Sequence, residues 1–275
     1  MNYRHAFHAG NFADCMKHAL LIWLLRALAR KDSGFCVLDT HAGSGRYDLS
    51  GPQAERTGEW RDGIARLMED PHARQNPAIA DYVTTVAGLG LYPGSPRITR
   101  ALLRPQDRLV ACELHPEEQL SLRRLFRADA QVAVHLRDGY EGLRAFLPPK
   151  ERRGLVLIDP PFEELGEFDR LLAGLQEGVS RFPSGVFAAW YPIKYRARVR
   201  AFYLAVAESG LRDVVATEFM LRPPNEFDHL GGCGLLVINP PFRFEEDAAP
   251  MLSALVESIG EPRVSQAVVT RLVAE

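Results

Sequence analysis

Short apolar runs, each closed by a turn or a charged residue, recur along the chain and alternate with longer stretches of helical period. The runs at 35–39, 108–113, 131–136, 154–159, 186–190, 214–221 and 234–239 have strand length. Between them 14–30, 95–104, 116–128, 165–180 and 194–208 read as helices, and the tail 247–275 as a helix followed by a strand-like Val-Val-Thr-Arg-Leu-Val. Alternation of this kind predicts an α/β fold, Rossmann-like, with a mostly parallel seven-stranded sheet. The carboxyl ends of parallel strands share one edge, and ligands bind at that edge.

One stretch organises the rest. Leu155-Val156-Leu157-Ile158 is a buried strand that stops on Asp159-Pro160-Pro161-Phe162. Proline cannot donate to a sheet ladder, so Pro160 ends the strand and Pro161 stiffens the loop. A carboxylate, a free carbonyl and an aromatic ring are thereby held at a strand end, where an amine needing two acceptors and a stacking surface would fit.

The earlier strands end in the same way. Phe35-Cys36-Val37-Leu38-Asp39 runs into Thr40-His41-Ala42-Gly43-Ser44-Gly45, a strand followed by a glycine turn that lets backbone N–H groups approach a ligand. Position 48 is Asp, so the third glycine of a dinucleotide fingerprint is absent and a mononucleoside-type cofactor is the better fit. Strand 108–113 ends on Glu113, a candidate acceptor for two ribose hydroxyls, and strand 131–136 leads into Arg137-Asp138-Gly139. Asp39 and Glu113 are 74 residues apart, where a dinucleotide fold leaves about 20. The excess is explained by a small helical insertion at 46–96 within a single domain of 1–275, rich in Gly and Pro and closed by Leu91-Tyr92-Pro93-Gly94-Ser95-Pro96. Four acids at four successive strand ends, Asp39, Glu113, Asp138 and Asp159, are difficult to explain as separate caps and predict a cofactor cleft.

Composition narrows the classes. Apolar residues make up 47% and charged residues 25%, the profile of a globular protein. The net charge of −2 does not announce a nucleic-acid binder, but arginines crowd 97–153 and 194–200. The basic start of 194–208, with Lys194, Arg196, Arg198 and Arg200, reads either as a solvated helix face or as a phosphate-contacting patch. Cys15, Cys36, Cys112 and Cys233 form no Cys-x-x-Cys, which points to a reduced cytoplasmic setting without a zinc cluster. His5, His8, Asp14 and His18 match no tight metal motif, so no metal is expected. The apolar segment 19–29 resembles a signal-peptide core, but Arg26 interrupts it and a buried helix is the better reading. No apolar run reaches the roughly 18 residues of a membrane span. A loop with Asn225, Asp228 and Gly231-Gly232 is expected to overhang the cleft.

With these residues in view, the chain resembles S-adenosylmethionine-dependent amino-methyltransferases that act on adenine N6. More narrowly it resembles the bacterial 23S ribosomal RNA adenine-N6 methyltransferase family. The likeness rests on Tyr-Arg-His-x-Phe-His-Ala-Gly-Asn from Tyr3, Leu-Asp-Thr-His-Ala-Gly-Ser-Gly-Arg-Tyr from Leu38, and Ala-Glu-Arg-Thr-Gly from Ala54. It extends through Tyr92-Pro93-Gly94-Ser95-Pro96, Glu113-Leu114-His115-Pro116, Leu157-Ile158-Asp159-Pro160-Pro161-Phe162, Trp190-Tyr191-Pro192 and Ile238-Asn239-Pro240-Pro241. The resemblance implies a class I methyltransferase core with a helical insertion. It implies S-adenosylmethionine contacts from His18, His41, Ser95, Glu113, Asp138, Gly139 and Asp159, RNA contact from Tyr3, and Asp159 as the catalytic acceptor. Pro160 and Phe162 would receive the base. Phe162 stands where Tyr is common in the family, which keeps the ring and loses a hydroxyl. The expected partner is 23S rRNA, protein-free or at an early stage of assembly, and the expected state is a monomer. A DNA adenine-N6 methyltransferase and a non-catalytic RNA-binding module on the same fold remain alternatives.

Ile238-Asn239-Pro240-Pro241-Phe242 nearly copies the catalytic turn. Chain order separates the two, because the acceptor strand should be the fourth in a sheet whose first strand carries the glycines, and 154–159 holds that rank. Asp159→Ala should abolish methyl transfer while Asn239→Ala retains it. Transfer that survived the first change and not the second would reverse the assignment.

Overall fold

The computed structural model describes residues 4–223 and 230–275. The amino-terminal half contains α1 (Phe12–Ala29), β1 (Cys36–Asp39), β2 (Arg46–Tyr47), α2 (Pro52–Thr57), α3 (Arg66–Glu69), α4 (Pro77–Ala87), β3 (Tyr92–Pro93), α5 (Ser95–Leu102), β4 (Arg108–Glu113), α6 (Pro116–Leu125) and β5 (Val132–Leu136). The other half contains α7 (Gly139–Phe146), β6 (Gly154–Ile158), α8 (Glu167–Arg181), β7 (Val186–Ile193), α9 (Arg196–Glu208), β8 (Val214–Met220), β9 (Gly232–Ile238), α10 (Phe244–Ile259) and β10 (Gln266–Val273).

The main sheet has eight strands, in the order β10-β8-β9-β7-β6-β1-β4-β5. This corrects the expected seven. The strand-like tail is β10, which pairs antiparallel with β8 over a ladder from Gln266–Met220 to Val273–Val214 and covers that edge. β5, β4, β1, β6 and β7 are mutually parallel, and β9 runs antiparallel to both β7 and β8. β7 also outlasts its expected end by continuing through Pro192 to Ile193. Its parallel partner β6 stops opposite Ala189, so Pro192 has a neighbour only on the β9 side, and an edge tolerates a missing N–H.

All five residues of β6 are buried. Leu155 and Leu157 enter the core shared with α1, α4 and α10, whereas Val156 and Ile158 enter the core shared with α7, α8 and α9. Side chains alternate faces along a strand, so helices on both faces require apolar residues at every position. The same logic explains α1, in which 16 of 18 residues are buried. Arg26, the break in its apolar run, is exposed and pairs bidentately with Asp81 at 2.8 and 2.9 Å. The helix begins two residues before the expected Asp14 because Asn11 caps it, accepting from the Asp14 amide at 3.0 Å. No helix among the described residues is long and apolar enough to cross a membrane.

Between β1 and β4 the chain leaves the sheet. β2 and β3 pair Arg46 with Pro93 and Tyr47 with Tyr92, which closes the base of the excursion. Its helices return onto the amino-terminal segment: the Ile64 amide donates to the Gly10 carbonyl at 2.8 Å. The contact lies in a π-helical turn, Arg61–Ala65, where Gly63 takes φ −101° and ψ −108°. A Cβ at Gly63 would stand 2.1 Å from the Gly10 oxygen and 2.9 Å from the Asn11 Cα. Gly63→Ala should therefore destabilise the fold by about 1–3 kcal/mol, read as a Tm lower by about 2–4 °C for each kcal/mol in thermal unfolding against wild type. An unchanged Tm would show that the two backbones separate at no cost.

Candidate active site

The chain passes through β1, β4 and β5 on one side of β1 and then reverses to β6 on the other. Crossovers diverge at that reversal and leave a crevice at the carboxyl edge. A cleft of about 1210 Å³ occupies it. Every described residue of the expected site lines this cleft: His18, His41, Ser95, Glu113, Asp138, Gly139, Asp159, Pro160 and Phe162. Tyr3, Asn225 and Asp228 lie outside the described residues.

Glu113 closes the glycine turn. Its Oε2 accepts from the Gly43 amide and its Oε1 from the His115 amide, both at 2.7 Å. Burial raises its pKa even though these bonds favour the anion. Each oxygen keeps a second lone pair, so the carboxylate can still receive two hydroxyls. Gly43 adopts φ +60°, and a Cβ there would fall 2.4 Å from the Tyr47 hydroxyl.

Asp138 caps α7 by accepting from the Tyr140 and Glu141 amides at 2.9 and 3.1 Å. Beside it, a Cβ on Gly139 would meet the Thr40 carbonyl at 2.4 Å and His41 Cε1 at 2.7 Å, so this approach requires glycine. The Thr40 hydroxyl donates to the Leu157 carbonyl at 2.9 Å and lies 2.8 Å from His41 Nδ1. With the hydroxyl proton on Leu157, Nδ1 is the donor to Thr40 and His41 Nε2 is an acceptor. Burial depresses the His41 pKa to about 4, which keeps the ring neutral.

Deeper in the cleft, the Ser95 hydroxyl donates to Asp39 Oδ2 at 2.6 Å. Ser95 therefore presents lone pairs. His18 is fully buried, with Nδ1 3.0 Å from the Tyr92 hydroxyl. Its Nε2 has no hydrogen-bond partner among the described residues and lies 3.9 Å from Asp14 Oδ1. Burial takes the His18 pKa down to about 3.

The Asp159 carboxylate meets a group that no motif in the sequence marked. Lys17 Nζ lies 2.6 Å from Asp159 Oδ2 and 2.9 Å from Asp14 Oδ1. Asp14 Oδ2 in turn accepts from the Gly10 amide at 3.0 Å and contacts His5 Nε2 at 2.9 Å. Burial opposes the Lys17 ammonium, but the two carboxylates outweigh it and hold its pKa well above the usual lysine value. Burial likewise opposes the Asp14 anion, and His5, Lys17 and His18 outweigh it. A lysine inside an otherwise apolar helix, one turn from an aspartate, was the available signal. His5 and Lys17 thus share a hydrogen-bonded network with Asp14, and no cluster of three or more His, Cys, Asp or Glu suited to a metal occurs among the described residues.

Phe162 sits at φ +52°, a costly conformation for an aromatic residue that is held here by packing. Its ring centroid lies 5.0 Å from Phe168 and 6.0 Å from Trp190, which also lines the cleft. Asn239 is remote from all of this. β9 runs against β7 and β8 and ends opposite Phe187 and Val214, at the amino edge. There the Asn239 amide donates to the Pro183 and Gly185 carbonyls at 2.8 and 2.7 Å and acts as a turn clamp.

Known proteins resemble this chain over nearly its whole length. The family model for "Ribosomal RNA large subunit methyltransferase D, RlmJ" matches residues 32–271. The ribosomal RNA large subunit methyltransferase J of Haemophilus influenzae is 39% identical, with 94% of each chain aligned. The protein of that name from Escherichia coli K12 is 38% identical over the full length of both. A crystal structure of a Legionella pneumophila protein superposes with TM-score 0.87 at 34% identity, covering 96% of this chain and 98% of its own.

Asp39 supplies a pH test. Burial lifts its pKa to about 7, above the unfolded value of 3.8, with Ser95 opposing the shift and Asp159 adding to it. A raised carboxyl pKa stabilises the fold below the unfolded value, and that contribution is lost as pH rises through the folded one. Asp39→Asn should therefore gain stability relative to wild type between about pH 4 and 7, measured by urea unfolding at both ends. A difference independent of pH would place the titration elsewhere.

Proposed function

The chain belongs to the ribosomal RNA large subunit methyltransferase J family, and from that premise we propose that it methylates the N6 amine of one adenine in 23S rRNA, with S-adenosylmethionine as donor. One observation carries the reading: the Asp159-Pro160-Pro161-Phe162 turn shares a single cleft with the acceptors Glu113, Asp138, His41 and Ser95. An adenosyl ribose needs two acceptors, which Glu113 retains. An adenine amine and a methionine ammonium need further ones, which Asp138, His41, Ser95 and the unpartnered His18 Nε2 offer. The bound cofactor supplies an electrophilic methyl group.

The remaining chemistry belongs to the protein. The adenine amine is a poor nucleophile because its lone pair is delocalised into the ring. Lys17 holds Oδ2 of Asp159, leaving Oδ1 to accept one N–H while the Pro160 carbonyl accepts the other. These two bonds turn the lone pair out of the ring plane, and Phe162, flanked by Trp190, fixes the tilt of the base. Alignment for in-line displacement supplies much of the rate, and the two acceptors stabilise the positive charge that develops on nitrogen. The methylated nitrogen is then acidic enough to release its proton to Asp159 or water. The base must first leave its stack, so a single-stranded or readily flipped adenine is expected.

The test is transfer of labelled methyl to unmodified, protein-free 23S rRNA, with the product nucleoside mapped and duplex DNA run in parallel. Label in N6-methyladenosine at one rRNA position is the expected outcome, and Lys17→Ala should lower kcat far more than it raises the KM for S-adenosylmethionine. Preferential labelling of duplex DNA would overturn the proposed substrate.

A further inference from the structure

The basic start of α9 takes no part in the chemistry above, yet Lys194 lines the cleft beside Pro192 and Trp190. We propose that Lys194, Tyr195 and Arg198 form the ledge by which the RNA strand enters, with the two cations on the phosphates beside the target adenine and the tyrosine ring under the neighbouring base. The proposal rests on the rRNA reading above and names the part of the surface that serves it.

The charge pattern of the cleft leads to this ledge. Nine Asp and Glu line the cleft against four Lys and Arg, a lining that suits a sulfonium cofactor and repels phosphate. Three of the four cations are already engaged. Lys17 is held between Asp14 and Asp159, Arg4 faces Glu117 at 3.2 Å, and Arg170 faces Glu164, Glu167 and Asp138 at 3.2, 3.5 and 3.7 Å. Lys194 is the one lining Lys or Arg that has no carboxylate partner among the described residues. A strand that delivers a base to Asp159 must pass its phosphates across this lining, and Lys194 is the counter-charge at hand.

The next residues continue the surface away from the cleft. Tyr195 is 39% exposed, and the Arg198 guanidinium lies 5.4 Å from its ring centroid. A ring backed by a guanidinium plane is a platform on which single-stranded bases stack whatever their sequence. Arg196 plays a different part. It is bound to the buried Glu218, which also accepts from the Tyr203 hydroxyl, and this pins the start of α9 while Lys194 and Arg198 remain exposed.

The test measures the affinity of unmodified, protein-free 23S rRNA for wild type, the double variant Lys194→Glu/Arg198→Glu, Tyr195→Ala, and Lys150→Glu at the opposite edge of the sheet, across a salt series. Binding of S-adenosylmethionine by calorimetry is measured for each. The double variant should bind RNA about tenfold or more weakly, and its log–log salt slope should flatten by about 0.7 for each phosphate no longer neutralised. Tyr195→Ala should weaken RNA binding with the slope unchanged. Lys150→Glu should match wild type, and cofactor affinity should hold throughout. Wild-type RNA affinity and slope in the double variant would overturn the ledge, as would equal weakening by Lys150→Glu or a parallel loss of cofactor binding. Wild type that neither binds nor methylates the rRNA would instead overturn the parent reading, and the ledge with it.

Discussion

A lysine almost closed to water, clamped between two carboxylates, joins the beginning of the chain to its chemical centre. Lys17 lies on α1, Asp14 one turn before it, and Asp159 at the end of the central strand β6. Two buried charges, Asp14 and Lys17, and the half-buried Asp159 are costly to desolvate, and they survive because each is paired and hydrogen-bonded. Removal of any one strands the others, at about 3–5 kcal/mol for a broken buried pair. The arrangement contributes more to geometry than to stability. It ties α1 to the end of β6 and engages Oδ2 of Asp159. Through Asp14 the same network reaches the Gly10 amide and His5, so the amino-terminal segment is tied to the catalytic turn.

The sheet does the remaining positioning. The order β6-β1-β4-β5 sets Asp159, Asp39, Glu113 and Asp138 side by side, an order different from that of the chain. Strand direction matters as much as rank. Asn239 carries a near-identical tetrapeptide, yet β9 points the other way and delivers it to the opposite edge, where its amide ties a turn together. Nearly the same four residues become part of the cleft lining or a structural clamp according to the direction in which their strand runs.

Within the cleft, hydrogen-bond direction sorts the polar groups by use. The Ser95 proton is spent on Asp39, so Ser95 presents lone pairs, while the Thr40 hydroxyl lies between the Leu157 carbonyl and His41 Nδ1. Burial keeps the His18 and His41 rings neutral. The result is a chamber lined mainly by acceptors and anions, the character a cationic ligand would meet.

Much of this was legible in the chain. Apolar strands of fixed length, prolines that end them and glycines at turns act through local sterics, which any sequence displays. The four strand-end acids and the Asp-Pro-Pro-Phe turn could be ranked from spacing alone. The eighth strand was visible as a pattern, but its pairing was not, because an edge strand is defined by the neighbour it finds. Lys17 was hidden for a related reason. Its meaning depends on Asp159, 142 positions away, and no periodicity carries information across that distance. Local pattern therefore marked the strand-end acids and the Asp-Pro-Pro-Phe turn, while His18, His41 and Ser95 came only from the family resemblance. Folding in three dimensions settled which of them meet, which oxygen of Asp159 Lys17 engages, and which of two similar turns faces the cleft, because those outcomes follow from long-range packing and strand direction.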